Sequence, residues 1–211
     1  MRAIGITDFL NKTFDVYEIE NEWLDSFGLI EKNFKMSVTG ASGGGKTEFV
    51  VKFIKNLCLN HKVKADYFSY EQGISKSLQA AIVRNNMEDV KGKVMFISGG
   101  TFDELVTRLK RRASAKIVVI DSQDYSDLST KQYKYLVKTF PKKSFIVISW
   151  AKGELPKNQA SQDIEYMSCI KIFVKDGKAY PRSRFGGNTT FVIFDKKSNT
   201  PVQQKLFQDD N

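Results

Sequence analysis

Residues 40–47 read Gly-Ala-Ser-Gly-Gly-Gly-Lys-Thr, which matches the spacing G-x-x-x-x-G-K-[ST]. This pattern dictates local structure on both sides of itself. A strand must deliver the first glycine, a loop must turn with backbone amides inward, and a helix must begin at the lysine. The flanking sequence meets each demand. Residues 34–39 (FKMSVT) read as a short buried strand. Residues 47–59 read as a helix with Phe49, Val50, Phe53, Ile54 and Leu57 on one face and Lys52 and Lys55 on another. Glycines let the loop N–H groups curl around an anion, and the helix start adds its unpaired N–H groups and positive dipole end. Gly40, Ala41, Ser42, Gly43, Gly44, Gly45, Lys46, Thr47 and Glu48 are therefore the candidate nucleotide-binding residues. Lys46 has the reach for β- and γ-phosphates, and the Thr47 hydroxyl suits Mg²⁺.

The chain continues in a strand-then-helix rhythm. Strands are expected at residues 63–70, 93–97, 116–121 and 144–149. Helices are expected at 74–84, with Ile74, Leu78, Ala81 and Ile82 inward, after Thr101, and near 129–139. Thr101 and Glu104 have the spacing of a capping box. The run KIVVID is apolar without alternation, as in strands of parallel sheets covered on both faces. After residue 170 the pattern changes. Two strand-like segments flank Asp176-Gly177, a strong hairpin signal, and residues 190–194 add one more strand. The fold class expected is α/β, a mostly parallel sheet flanked by helices with C-terminal antiparallel strands. Proline is scarce and no linker or repeat stands out, so residues 1–211 read as one domain. Its core spans about 23–195, after a preamble (1–22) in which no signal-peptide pattern is visible and before a polar, frayed tail (196–211). Trp23, Leu24, Phe27, Leu29 and Ile30 are expected to cover part of the core.

Composition narrows the chemistry. Two cysteines, Cys58 and Cys169, supply neither a disulfide framework nor a four-ligand zinc site. With one histidine, His61, catalysis must rest on carboxylates, Lys, Arg or a bound metal. No apolar run approaches the roughly 18 residues of a membrane span, so the expectation is a reduced, cytoplasmic protein without membrane contact. The net charge of +9 favours a polyanionic partner such as nucleic acid or nucleotide phosphates.

Two carboxylates fit the loop. Asp121 ends the strand IVVID, at the edge where parallel sheets bind ligands, and can hold Mg²⁺. Glu71 follows the strand ending Phe68-Ser69-Tyr70. In a parallel sheet it shares a rim with Lys46 and Asp121, where a carboxylate can polarise water in line with a γ-phosphate. Ser122 is a further hydrogen-bonding candidate. Arg182 and Arg184 alternate along one expected strand, so both point to one face and together make an anion site. The plainer reading is a basic edge strand that resists aggregation.

Taken in order, WLDSFGLIEKNFKMSVTGASGGGKT, YFSYEQ, KIVVIDS, SFIVIS and PRSRFGG resemble the RecA-like ATPase core, especially its RadA and DnaB-helicase branches. The resemblance covers about residues 23–195. It implies ATP and Mg²⁺ as cofactors, Glu71 as the residue that activates water, and Asp121-Ser122 as the end of the Walker B strand. It implies that Arg182 and Arg184 reach a neighbouring subunit's γ-phosphate, hence a homo-oligomer. It places DNA-facing loops at residues 123–130 and 152–163, with single-stranded DNA as a partner. The first of these loops is short and acidic; the second reads as polar and mobile, with Lys152 and Lys157 its basic residues. Other basic groups cluster at Arg108, Lys110, Arg111 and Arg112, and at Lys131, Lys134 and Lys138. The polar switch residue of that family is replaced by Ser149-Trp150-Ala151-Lys152, where Ser149 or Lys152 would have to substitute. Trp150 and Phe185 read as packing or interface residues.

The expectation is thus Mg-dependent ATP binding and hydrolysis by an oligomeric RecA-like ATPase acting in DNA recombination, replication or a mobile element. Lys46, Glu71, Asp121, Arg182 and Arg184 are the catalytic candidates, with Thr47 and Asp121 as metal ligands. The alternative is a nucleotide-gated DNA- or protein-binding module with little turnover. A small-molecule P-loop kinase needs an acceptor pocket and an Arg-bearing lid, which the hairpin and RSRFG segment fit poorly.

Overall fold

The structure, a computed structural model, describes residues 3–194. The expected tail at 196–211 lies outside the described residues, as do Met1 and Arg2 of the preamble. Helix α1 (Ile6–Leu10) leads to a two-stranded ribbon of β1 (Val16–Tyr17) and β2 (Ile30–Glu31), with α2 (Asn21–Phe27) between them. The main sheet then forms from β3 (Lys35–Gly40), β4 (Ala65–Ser69), β5 (Val94–Ser98), β6 (Ile117–Asp121), β7 (Ser144–Lys152), β9 (Ile170–Lys175), β10 (Lys178–Ser183) and β11 (Phe191–Val192). A short β8 (Leu155–Pro156) folds back antiparallel on β7. Helices α3 (Lys46–Asn60), α4 (Lys76–Arg84), α5 (Phe102–Lys110), α6 (Gln123–Ser126), α7 (Thr130–Thr139) and α8 (Gln159–Met167) connect the strands.

The sheet order is β11-β10-β9-β3-β7-β6-β4-β5. From β9 to β5 every neighbour is parallel; β10 and β11 are antiparallel additions. Side chains alternate across the sheet, so each central strand feeds two cores. Ile117, Val119, Ile146 and Ile148 pack with α3, while Val118, Ile120, Phe145 and Val147 pack beneath α5, α7 and α8. That double cover is why KIVVID and SFIVIS are apolar without alternation. The expected capping box forms at Thr101 with Glu104, and a second, not foreseen, forms at Ser129 with Gln132. At the hairpin, Asp176 and Gly177 both take positive φ (53° and 74°), as a type I′ turn requires.

Several expectations are corrected. Leu24, Leu29 and Ile74 are exposed rather than core residues, whereas Phe27 and Ile30 are fully buried. Ile74 precedes α4, which begins only after the Ser75 cap, so it lies off the buried face. The expected mobile loop at 152–163 is instead ordered. Asn158 accepts from the Ser161 amide at 2.9 Å and starts α8, whose Ile164 is buried. Residues 123–126 form a helical turn, and the last expected strand shrinks to Phe191–Val192.

Candidate functional site: a phosphate-binding rim

The phosphate loop leaves β3 at Gly40 and enters α3 at Lys46. Gly43 and Gly45 have φ of 72° and 106°, conformations that side-chain-bearing residues resist. A Cβ on Gly45 would also stand 2.9 Å from the Phe194 ring, so the segment after β11 buttresses the loop. Lys46 is buried, and its ammonium donates to the carbonyls of Gly40 and Ala41, both at 2.9 Å. Burial pushes its pKa down, against the opposing pull of Glu71, Asp121 and Asp124.

Two neighbouring strand ends, those of β4 and β6, bring the acidic groups to the same rim. Asp121, 3% exposed, ends β6 directly opposite Ser69 of β4. Its carbonyl accepts the backbone N–H groups of Tyr70 (2.5 Å) and Glu71 (3.1 Å), which fixes Glu71 beside it. The Asp121–Ser122 peptide is cis. The Asp121 carboxylate accepts the phenol O–H of Tyr67, and the Thr47 side chain lies beside it. Burial pushes this carboxyl up to about 6; the Tyr67 hydrogen bond opposes that, Glu71 reinforces it, and Lys46 and Thr47 oppose it. The Ser122 hydroxyl is buried without a hydrogen-bond partner and touches none of these groups through one.

The Glu71 carboxylate accepts the indole N–H of Trp150 at 3.2 Å. Trp150 lies opposite Gly40 in the β3–β7 register, beside the start of the phosphate loop. Neither expected substitute for the switch residue makes this contact. Ser149 is buried with its hydroxyl 3.1 Å from that of Thr39, and Lys152 is exposed. Trp150 is thus a polar partner of Glu71 and not only a packing residue.

The remaining candidates stand apart. The Glu48 carboxylate is committed to α4 and its cap, accepting from Arg84 Nε at 2.9 Å and from Asn85 Nδ2 at 2.5 Å. Only the Glu48 backbone is left for the anion site. Arg182 pairs with Lys171, at the end of β9 away from Val174, which adjoins Gly40. Both arginines therefore sit at the rim opposite the phosphate loop. Arg184 lies past the end of β10 in a turn, not on the strand as expected. With Lys171, Cys169, Ser183 and Asn188 they line a shallow hollow of about 370 Å³. A second hollow, about 480 Å³, runs along Ala41–Gly44 and the β9–β10 turn. Arg108, one of the clustered basic residues, is spent on Asp66 through Nε (2.7 Å) and Nη2 (2.8 Å).

No protein-family model and no curated protein sequence matches the chain. Solved structures do. One is the crystal structure of a KaiC-like protein from the hyperthermophilic archaeon Pyrococcus horikoshii OT3, with a TM-score of 0.53 over 72% of this chain and 78% of that one. The fold is RecA-like. At 18% identity this likeness concerns backbone architecture, and the chemistry rests on the rim itself.

Three features of that rim escape a reading of the sequence. Tyr67 looks like an ordinary strand aromatic, yet its O–H is aimed at Asp121. Asp124 looks like a loop acid, yet it accepts the Trp150 backbone N–H at 2.8 Å. Trp150 is the third. An aromatic with a polar tip on a buried strand was the available signal for Tyr67 and Trp150.

Proposed function

We propose that the chain is a RecA-like ATPase domain of the RadA/DnaB type that binds ATP with Mg²⁺ and hydrolyses it as an oligomer acting on DNA. The observation that carries this reading is the convergence of Lys46, Thr47, Asp121 and Glu71 on one rim of the sheet. Loop amides and Lys46 would hold the β- and γ-phosphates, Lys46 exchanging its contacts to Gly40 and Ala41 carbonyls for phosphate oxygens. The Thr47 hydroxyl and the Asp121 carboxylate beside it are hard oxygens of the kind Mg²⁺ takes alongside waters and phosphates. Bound there, Mg²⁺ would neutralise charge between the β- and γ-phosphates. Glu71 would accept a hydrogen bond from the attacking water and hold it in line. The water oxygen would then bond to the γ-phosphorus as the bond to the bridging oxygen breaks and ADP leaves, with one water proton passing to Glu71.

Arg182 and Arg184 are too far round the sheet to serve their own chain's loop, so their role requires a neighbour's site. This makes assembly part of the mechanism. Single-stranded DNA as the activating partner, and a role in recombination, replication or a mobile element, follow from the resemblance and from the net charge of +9.

ATP turnover is measured with and without single-stranded DNA, alongside nucleotide binding. Glu71→Gln is expected to keep ATP and lose hydrolysis by roughly a hundredfold or more. Sizing with a nonhydrolysable analogue is expected to show a larger species. Retained ATP without turnover under either condition supports the second reading, a nucleotide-gated binding module, which the replaced switch residue at Ser149-Trp150-Ala151-Lys152 favours. No retention of nucleotide with Mg²⁺ present overturns both.

A further inference from the structure

Trp150 is held from several sides. Its backbone N–H donates to Asp124 Oδ2 at 2.8 Å, and its carbonyl accepts the Lys157 amide at 2.8 Å. The ring meets Tyr125 edge-on, centroids 5.4 Å apart at 78°, and the Lys157 ammonium stands 5.0 Å over its face. Asp124 in turn accepts from Asn158 Nδ2 at 3.0 Å, and the same amide reaches Gln123 at 2.8 Å. Gln123 also accepts the Ser161 hydroxyl at 2.5 Å. An indole fixed in this way points its one donor at Glu71.

We propose that Trp150 is the positioning residue for Glu71, its indole N–H fixing one carboxylate oxygen so that the other faces the attacking water. This rests on the ATPase reading given above. The indole nitrogen donates and never accepts, so its partner here is an acceptor oxygen of the Glu71 side chain. A cation over the ring face draws electron density from the indole and strengthens the donor. A glutamate has several free torsions, and fixing them before ATP arrives removes that ordering cost from the transition state. Because Asp124 and Asn158 hold Trp150 from α6 and from the start of α8, movement of either segment reaches Glu71 through a single side chain.

The test uses the full chain. Trp150→Phe keeps the ring and deletes the donor. It is expected to lower kcat roughly tenfold, the worth of one lost hydrogen bond to a charged group, with KM for ATP within about twofold. Trp150→His, which restores an N–H, is expected to recover part of the loss. The protein has two tryptophans, so ¹⁵N-indole spectra contain two signals, and Trp150→Phe assigns one of them. Glu71→Gln is expected to move that signal and leave the Trp23 signal in place. A Trp150→Phe protein that turns over ATP like the wild type, or a Trp150 signal indifferent to Glu71→Gln, overturns the proposal while leaving the ATPase reading intact. Absence of turnover in the wild type overturns the ATPase reading and the positioning role together, whatever the indole signals do.

Discussion

The phenol of Tyr67 donates its hydrogen bond to Oδ2 of Asp121 across the parallel β4–β6 pair, deep beneath the rim. Tyr67 is fully buried, and its own ionisation is pushed far upward by that burial and by the adjacent carboxylate. It therefore stays a donor at every working pH, and its bond opposes the upward pull of burial on Asp121. Tyr67→Phe removes only the hydroxyl. The Asp121 carboxyl is then expected to rise further above about 6, weakening binding of a Mg–ATP analogue near pH 6.5 by roughly three- to tenfold, the worth of one charge-assisted bond. Affinity titrated against pH checks this. An unchanged acidic limb in the variant would show that the phenol does not tune the carboxylate.

The same carboxyl makes the stability of the metal-free protein depend on pH. Its value is raised in the folded state, from 3.8 to about 6, so between those limits the folded chain binds more protons than the unfolded one. Unfolding free energy from this group therefore falls as pH rises from about 4 to about 6 and is level above that window. The full effect is on the order of 3 kcal/mol, because each pH unit across that window changes the balance by about 1.4 kcal/mol. Asp121→Asn, which cannot ionise, is expected to flatten this part of the curve. Denaturation midpoints measured from pH 4 to 7 without Mg²⁺ decide the matter, and parallel curves for the two proteins would contradict the assignment.

Arg108 and Asp66 join α5 to β4 with two hydrogen bonds, the Asp66 side chain being 5% exposed and that of Arg108 27%. Removing only the arginine leaves a carboxylate stranded under the helix. Arg108→Ala is expected to cost about 2–4 kcal/mol by chemical denaturation. Asp66→Asn combined with Arg108→Ala should recover part of that loss, since no bare charge remains. Such a recovery would assign Arg108 to stability rather than to nucleic acid. Lys110, Arg111 and Arg112 are exposed and carry the DNA question for this cluster.

Where the sequence was legible, one local interaction decided the outcome. The glycine-lysine spacing at 40–47, the cap at Thr101, and the turn at Asp176-Gly177 are each settled within a few residues. Apolar runs without alternation likewise announced strands covered on both faces. What stayed illegible depends on long-range juxtaposition. Tyr67 meets Asp121 and Trp150 meets Glu71 only because the sheet order sets β6 between β4 and β7. Residues 152–163 looked like a loop because their polar groups bond inward, to Gln123 and Asp124, rather than to water. Arg184 was placed on a strand because alternation cannot foresee where pairing stops; Ser183 is the last paired residue of β10.

The place where pairing stops is held by another part of the chain. The segment closing α2 interlocks with the turn that carries Arg184. Asn188 and Thr189 donate to the carbonyls of Ser26 (2.9 Å) and Asp25 (3.1 Å), and the Ser183 hydroxyl donates to Phe27 (2.8 Å). Gly28 has φ of 68°, and a Cβ added there would lie 2.0 Å from the Phe185 carbonyl oxygen. Backbone faces backbone at this point, so no side chain can swing aside. Gly28→Ala combines left-handed strain with that overlap, and a loss of roughly 2–4 kcal/mol is expected. Leu29→Ala, at an exposed neighbouring position, serves as the comparison and should fall within about 0.5 kcal/mol of wild type. Denaturation midpoints of the two variants measure the difference. If the turn also presents Arg184 to a neighbouring subunit, Gly28→Ala should weaken nucleotide-dependent assembly at temperatures where the monomer is still folded. A Gly28→Ala protein as stable as the wild type would mean that the 25–28 and 185–189 segments do not meet as described.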